Sequence, residues 1–329
     1  MIVKSQHLNQ SLFGASLEAI PTRKGFGDGL LAAGNTNHRV VARCADLTES
    51  TQMKAFADAH PDRFFEVGIA EQNLVTVASG LAATGKVAFT SSYAAFSPGR
   101  NWEQIRTTVA LNNQPVKIIG SHAGVSVGPD GATHQMLEDI AMMRALPNMT
   151  VIVPCDTHEA QKATEAMVGY SHPVYLRLAR EKTAVVTSQQ TPFKIGKAEV
   201  YYEGEDVTIV ACGPLLYEAM LAARELAKHN IRAEVINSAT VKPLDSKTIL
   251  ASAHKTGAVV TVEEAQIAGG LGGAVCELLA AEYPVPVRRI GVQDRFGQSG
   301  TVSELWDEYE LNAPHIVLAA KAVIERKAL

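Results

Sequence analysis

Four stretches of this chain combine residue types that packing alone does not require. In Glu66-Val-Gly-Ile-Ala-Glu71-Gln-Asn, a short apolar strand (Phe64-Phe65) runs into an apolar helix, and no carboxylate follows Glu71 until Glu103. A carboxyl beside so much apolar surface either complements the positive end of the helix dipole or, kept from water, is available for proton exchange. The second stretch, Thr90-Ser-Ser-Tyr93-Ala-Ala-Phe96, ends a strand in small hydroxyls and two aromatics, which would also suit a core under a loop. The third, Ser121-His122-Ala-Gly-Val-Ser-Val-Gly-Pro-Asp130-Gly-Ala-Thr-His134, is a long glycine-rich loop after a strand. Loops of that length within a compact domain usually carry function. Its two imidazoles and carboxylate could ligate a metal, or its glycines could let backbone approach a ligand. The fourth is Arg180, just beyond the strand Val174 to Leu178, at the mouth of an open α/β sheet or in a surface salt bridge.

These residues need a scaffold, and the hydrophobic pattern supplies one. Short β-branched runs at 39–43, 87–90, 116–120, 150–153 and 174–178 read as buried strands. Between them, 70–83, 97–112, 134–145 and 157–169 read as helices, the last capped by Asp156 or Thr157. The polar, aperiodic stretch from Arg180 to Ala198 reads as a connection. A second alternating block comes next, with strands at 207–211, 233–236, 258–262 and 287–290. Its helices are predicted at 215–229, 246–255, 270–282 and 313–326. The fold expected is α/β: two tandem open sandwiches with mostly parallel sheets, over residues 1–185 and 201–329, joined by a linker at 186–200.

Composition removes several classes. With 329 residues, 47% hydrophobic and 19% charged, the chain is globular and large enough for two cores. The net charge of −4 comes without long runs of one sign, which disfavours nucleic acid. The longest stretch free of charged residues, Gln72 to Gly85, is too short to span a bilayer, so no membrane association is expected. The N-terminus has no apolar signal core. Cys44, Cys155, Cys212 and Cys276 are scattered without zinc spacing, which suits a reducing, cytoplasmic location.

Three motifs invite other readings. Gly27-Asp28-Gly29 resembles a metal-diphosphate triplet, but a helical stripe (Phe26, Leu30, Leu31) runs through it and it precedes the first clear strand. Gly269-Gly-Leu-Gly-Gly273 comes after a strand and opens a helix like a dinucleotide fingerprint, yet Val275 stands where a third small residue belongs. Close helix–sheet packing explains that cluster more simply. His158-Glu159 lacks the second histidine of a zinc motif. No metal ligands are assigned in this chain.

Taken together, E-V-G-I-A-E-Q-N, T-S-S-Y-A-A-F, G-S-H-A-G-V-S-V-G-P-D-G-A-T-H-Q, L-P-N-M and R-L-A-R resemble the pyrimidine-binding domain of transketolase. The second block, with P-L-D, V-E-E and G-G-L-G-G-A, is similar to the transketolase C-terminal domain, so the resemblance covers nearly the whole chain. It implies thiamine diphosphate as cofactor. Glu71 matches the glutamate that hydrogen-bonds the aminopyrimidine and promotes its proton shift. Tyr93 and Phe96 match the aromatic residues beside that ring. His134 matches the histidine near the aminopyrimidine and the donor's C1 hydroxyl, Asp130 the aspartate that reads the sugar's α-hydroxyl. Arg23, Ser50, His122 and Arg180 match the residues that hold the sugar phosphate, with His122 also counted among the catalytic set. Tyr93 and the Ser121 and Ala123 flanks of His122 depart from the commonest full-length pattern, which leaves donor and acceptor identity open.

A complete transketolase begins with a diphosphate-binding domain whose Gly-Asp-Gly and downstream Asn hold Mg2+. This sequence resembles the two domains that stand after it. The resemblance therefore implies the C-terminal subunit of a split transketolase, working with a separate N-terminal diphosphate-binding subunit that holds most of the metal's ligands. An α2β2 heterotetramer built on a self-associating β dimer would act on sugar phosphates, moving a two-carbon ketol unit from a ketose phosphate to an aldose phosphate. Deoxyxylulose-phosphate synthase shares the Asp-Gly-x-Thr-His core, but usually has arginine where His122 stands and keeps three domains on one chain. The β-subunit of a 2-oxo-acid dehydrogenase fits 130–134 less well. A non-catalytic module is the remaining alternative.

Overall fold

The computed structural model describes residues 1–327. The first half of the chain forms β1 (Ala19–Pro21), α1 (Thr22–Thr36), β2 (Val40–Cys44), α2 (Lys54–Ala59), β3 (Phe64–Glu66), α3 (Glu71–Ala83) and β4 (Val87–Tyr93). Next come α4 (Trp102–Gln104), β5 (Lys117–Ser121), α5 (Asp139–Arg144), β6 (Thr150–Ile152), α6 (Thr157–Val168), β7 (Val174–Arg177) and β8 (Lys182–Ala184). The remainder forms β9 (Glu199–Tyr202), β10 (Val207–Ala211), α7 (Leu216–Lys228), β11 (Ala233–Asn237), β12 (Thr240–Lys242) and α8 (Ser246–Thr256). It closes with β13 (Val259–Gln266), α9 (Leu271–Glu282), β14 (Val287–Val292), α10 (Val302–Glu308) and α11 (Ala313–Lys327).

The alternation expected from the sequence is present, as two mostly parallel sheets. One has seven strands in the order β12-β6-β7-β5-β4-β2-β3, the other five in the order β14-β13-β10-β11-β9. Only β12 in the first sheet and β9 in the second run antiparallel to their neighbours. Strand alternation sorts side chains by face. Val40 and Ala42 join Phe26, Leu30, Ala160 and Met167 beneath α1 and α6, whereas Val41 faces Val75, Ala78 and Ala82 of α3. The second sheet behaves likewise: Val207, Ile209 and Ala211 meet α7 and α11, and Val210 turns the other way.

That other face is shared. Val41, Ile118 and Val151 of the first sheet lie in one continuous apolar cluster with Val210, Ile236 and Val259 of the second. The strand β12, next in the chain after the second sheet's β11, also pairs with β6 of the first sheet. The two sheets are thus fastened by common core and by β12, which the second half of the chain contributes to the first sheet.

Several local expectations need correction. The helix expected over 97–112 begins only at Trp102, because Pro98 and Gly99 hold 94–101 in turns; it then widens over Ile105–Ala110. The helix expected over 134–145 is confined to α5, since the chain before it is drawn into bonds with the glycine-rich loop: Gly124 N–H donates to Met136 O at 2.9 Å. The stretch 180–198 is not merely connective. It contains β8, which pairs antiparallel with β1, and Val185 and Val186 are buried.

Candidate active site

In the seven-stranded sheet, β2, β4, β5 and β7 run parallel, with Tyr93 opposite Ser121 and Cys44 opposite Ser91. Their carboxyl ends therefore share one edge, the usual ligand position in such sheets. Most of the residues singled out in the sequence are brought together there.

Rings form the centre. Tyr93 stacks on His122 with centroids 3.8 Å apart and planes inclined by 24°. Phe96 lies 5.9 Å from Tyr93, and His134 meets Phe96 edge-on at 5.5 Å. His122 is buried, has a left-handed backbone (φ 56°) and lies 2.9 Å through Nδ1 from Ser121 Oγ. Burial, then the charges of Arg23, Arg180 and His134, push its pKa down to about 3. His122 is a neutral imidazole, a dipolar hydrogen-bonding group and not a cation.

The cations are the two arginines. β1 leads directly into α1 and Arg180 precedes β8, so the β1–β8 ribbon draws Arg23 and Arg180 together. Thr22 completes the junction, its hydroxyl accepting from Ala179 N–H at 2.8 Å. Arg23 donates through Nε to Arg180 O at 3.1 Å and through Nη1 to Ser50 O at 2.6 Å. Its pKa is lowered by partial burial first and then by the Arg180 charge. Two guanidiniums held against their own repulsion form a place that an anion would relieve. Arg180 in turn donates to Val127 O at 2.9 Å and to Asp130 Oδ1 at 3.2 Å, tying it to the glycine-rich loop. Ser50 lies in a turn pinned by Glu66, whose Oε1 accepts from Asp46 N–H at 2.6 Å and Oε2 from Thr48 Oγ1 at 2.9 Å.

Glu71 opens α3 and is only 4% exposed. A cavity of about 410 Å³, lined by Ile69 to Asn73 and Arg100, opens beside it. Arg100 was missed in the sequence. Its guanidinium lies 3.4 Å from Glu71 Oε2 and 4.2 Å from the centroid of Phe96, linking the carboxyl to the rings. The available signal was its i+4 spacing from Phe96, hidden by the helix assigned to 97–112. Arg100 N–H does bond to Phe96 O at 2.9 Å.

The site has the makings of a seat for a flat, polar heterocycle: aromatic faces and a buried carboxyl, at the end of a strand, β4, whose Thr90, Ser91 and Ser92 hydroxyls are buried with no hydrogen-bond partner and alternate between its two faces. A diphosphate–metal group finds no such seat. Among the described residues no group of three His, Cys, Asp or Glu could hold a metal. Gly27-Asp28-Gly29 lies inside α1, with Asp28 paired to Lys24. The neighbouring glycines serve contact: a Cβ on Gly25 would fall 1.9 Å from Thr157 O, and one on Gly27 2.5 Å from Gln52 O.

The cluster 269–273 is likewise resolved. Glu263, fully buried, accepts from Leu271 and Gly272 N–H at 2.7 Å each, and a Cβ on Gly270 would collide with its carboxylate at 2.0 Å. The N-terminus of α9 is thus already capped by the protein's own carboxylate, leaving no place for a phosphate. A groove of about 1100 Å³ between β9 and α8 is lined by charges already paired, such as Lys255 with Glu234 and Arg232 with Glu205. No helix among the described residues is long and apolar enough to cross a membrane.

Comparison with known proteins gives the family. The family model for the transketolase pyrimidine binding domain matches residues 18–185, and that for the transketolase C-terminal domain matches 196–316. A Methanocaldococcus jannaschii protein, provisionally described as a transketolase C-terminal section, is 44% identical over 92% of this chain and 95% of its own. The 6-deoxy-6-sulfo-D-fructose transketolase subunit SqwH of Clostridium sp. (strain MSTE9) is 43% identical over 96% of this chain and 98% of its own. A solved structure described as a split gene transketolase, inactive beta4 tetramer, superposes with a TM-score of 0.88 at 43% identity, covering 94% of this chain and 99% of that one.

Proposed function

Since the chain belongs to the transketolase family, we propose that it is the C-terminal subunit of a split, thiamine-diphosphate-dependent transketolase. In this reading it transfers a two-carbon ketol unit from a ketose phosphate to an aldose phosphate, together with a separate diphosphate-binding subunit. The observation that carries the phosphorylated substrate is the Arg23–Arg180 pair beside Ser50 and neutral His122. When bound, thiamine diphosphate supplies a carbon nucleophile that accepts and releases the ketol unit. Tyr93 and Phe96 offer it ring faces, and Glu71 presents a buried carboxyl able to exchange a proton with its ring.

Asp130 and His134 would read the sugar hydroxyls while the arginines, with Ser50 and His122, fix its phosphate. That division of labour orients the donor before any bond changes. Mg2+ is assigned to the partner, because no acidic cluster among the described residues of this chain could hold it. The partner would complete a cytoplasmic α2β2 assembly around a β–β contact. The name of the superposed structure, an inactive tetramer of β chains, supports both self-association and the need for a second subunit.

The test is recovery of the chain from its native extract with thiamine diphosphate and Mg2+ present, mass spectrometry of the proteins that accompany it, and assay of the complex. A Gly-Asp-Gly-bearing partner and ketol transfer between sugar phosphates are expected. Robust turnover by the isolated chain, or no transfer by the complex from any ketose phosphate, would overturn the proposal.

A further inference from the structure

The loop that carries His122, Asp130 and His134 is fixed largely by residues far along the chain. Glu264, on β13 of the second sheet, is 2% exposed and spends both carboxylate oxygens on one loop residue. Ser126 N–H donates to Oε1 at 2.5 Å, and Ser126 Oγ donates to Oε2 at 3.1 Å. Gly124, at φ +86°, makes room for it: a Cβ there would lie 2.6 Å from the Glu264 carboxyl carbon. Behind the pair, Arg177 donates through Nη2 to Glu264 O at 2.9 Å and Met136 O at 3.2 Å, while its Nε holds Asp139 at 2.8 Å.

A strap before α10 holds the loop's other end. Gln135 Nε2 donates to Val125 O, Gly128 O and Gln298 O at 3.0, 3.2 and 2.9 Å. A Cβ on Gly297 would strike Gln135 Oε1 at 1.8 Å, and one on Gly131 would lie 2.7 Å from Ser299 Oγ. Val125, between His122 and Asp130, and Leu137, just past His134, belong to the apolar cluster of Leu215, Leu305 and Leu311. Both anchor points therefore belong to the second sheet's side of the molecule.

We propose that Glu264, assisted by the 297–300 strap, is a positioning residue: through Ser126 it sets the loop geometry with which His122, Asp130 and His134 meet the sugar. A buried carboxylate is expensive to desolvate, and an apolar pair would pack as stably, so fully satisfying it gains geometry more than stability. Of the cofactor-side residues, Glu71, Tyr93 and Phe96 lie outside the clamped segment, while His134 lies within it against Phe96. Loosening the clamp therefore affects sugar recognition, which rests on three clamped residues, more than cofactor capture, which rests mostly on unclamped ones. This role in catalysis rests on the ketol-transfer reading above; the clamp itself does not.

The experiment uses the full chain with Glu264→Ala, Glu264→Gln and Ser126→Ala. Amide hydrogen exchange is measured on the free chain, and steady-state kinetics and thiamine diphosphate binding on the complex with its partner. For Glu264→Ala, exchange at 125–127 should accelerate by about 10-fold or more. The KM for the sugar phosphate should rise so that kcat/KM falls by about 10- to 100-fold, with a clearly smaller loss of cofactor affinity. Glu264→Gln keeps one acceptor for the Ser126 N–H and should restore most of both. Ser126→Ala should give an intermediate loss.

Unchanged exchange in the loop, or a parallel loss of cofactor affinity and sugar recognition that tracks unfolding, would overturn the proposal. If Glu264→Ala does not fold, wild-type exchange and kinetics in both Glu264→Gln and Ser126→Ala would do the same. A complex inactive on every sugar phosphate would refute the functional reading, while the exchange data would still decide the clamp.

Discussion

The ring of His122 lies on the ring of Tyr93 with centroids 3.8 Å apart, inside a protein surface that also presents Arg23 and Arg180. Stacking and burial exclude water from the imidazole, and the nearby positive charges oppose protonation further. The histidine stays neutral in the folded protein from its pKa of about 3 upward, whereas the unfolded chain protonates it near its ordinary 6.5.

Acid therefore works against the fold through this residue. Between those two values the unfolded state binds the proton and the folded state does not, so stability falls as pH drops through that window. The slope contributed by this one residue approaches about 1.4 kcal/mol per pH unit. Urea unfolding of wild type and His122→Asn between about pH 7 and 5 should show the wild type losing more stability on acidification. Identical slopes would remove His122 from that linkage.

Glu71 offers a second prediction. Glu71→Gln and Glu71→Ala in the partnered complex should lower ketol transfer by about 100- to 10,000-fold, the range for a lost acid–base group. Both should melt as cooperative folded proteins, because the carboxylate's side-chain partner is the half-exposed Arg100. Near-normal turnover would eliminate Glu71 from the chemistry.

Arg23 separates phosphate recognition from the rest. Arg23→Met should raise the KM for a sugar phosphate by about 10- to 100-fold, matching roughly 1.5–3 kcal/mol for hydrogen bonds to a charged group. A short unphosphorylated ketol donor should be used as well as before. Equal losses on both donors would mean that Arg23 holds the Arg180–Ser50 junction together and does not read phosphate.

Two glycines make a contrasting pair. Gly25 meets Thr157 backbone at 1.9 Å from where a Cβ would sit, so Gly25→Ala must push α1 off α6 and cost about 1–3 kcal/mol. Gly80, within α3, has nothing within 4 Å of that position, so Gly80→Ala should stabilise the free chain by about 0.4–1 kcal/mol. Thermal unfolding of both variants tests whether the α1 glycines serve helix contact, as opposed to a ligand.

Local information went far here. Alternating apolar runs wrote the strands, and with them the shared edge where Tyr93, His122 and Arg180 emerge, because a strand's period and end are properties of consecutive residues. The turn over 94–101 and Arg100 within it were misread, since a few apolar residues after Pro98 satisfy a helical period as readily as a turn does. The meeting of Arg23 with Arg180 and Ser50 was legible only through the family resemblance and not from local pattern, as it depends on β1 pairing with β8, whose residues are far apart in the chain. Glu263 and Glu264 show the division most clearly. They are adjacent and chemically identical, yet strand alternation turns one to cap α9 and the other to hold Ser126. The sequence determined that two carboxylates stand at the end of a strand. Only the packing of a helix on one side and the glycine-rich loop on the other decided what each does, because burial and partnership are supplied by distant residues and not by neighbours in the chain.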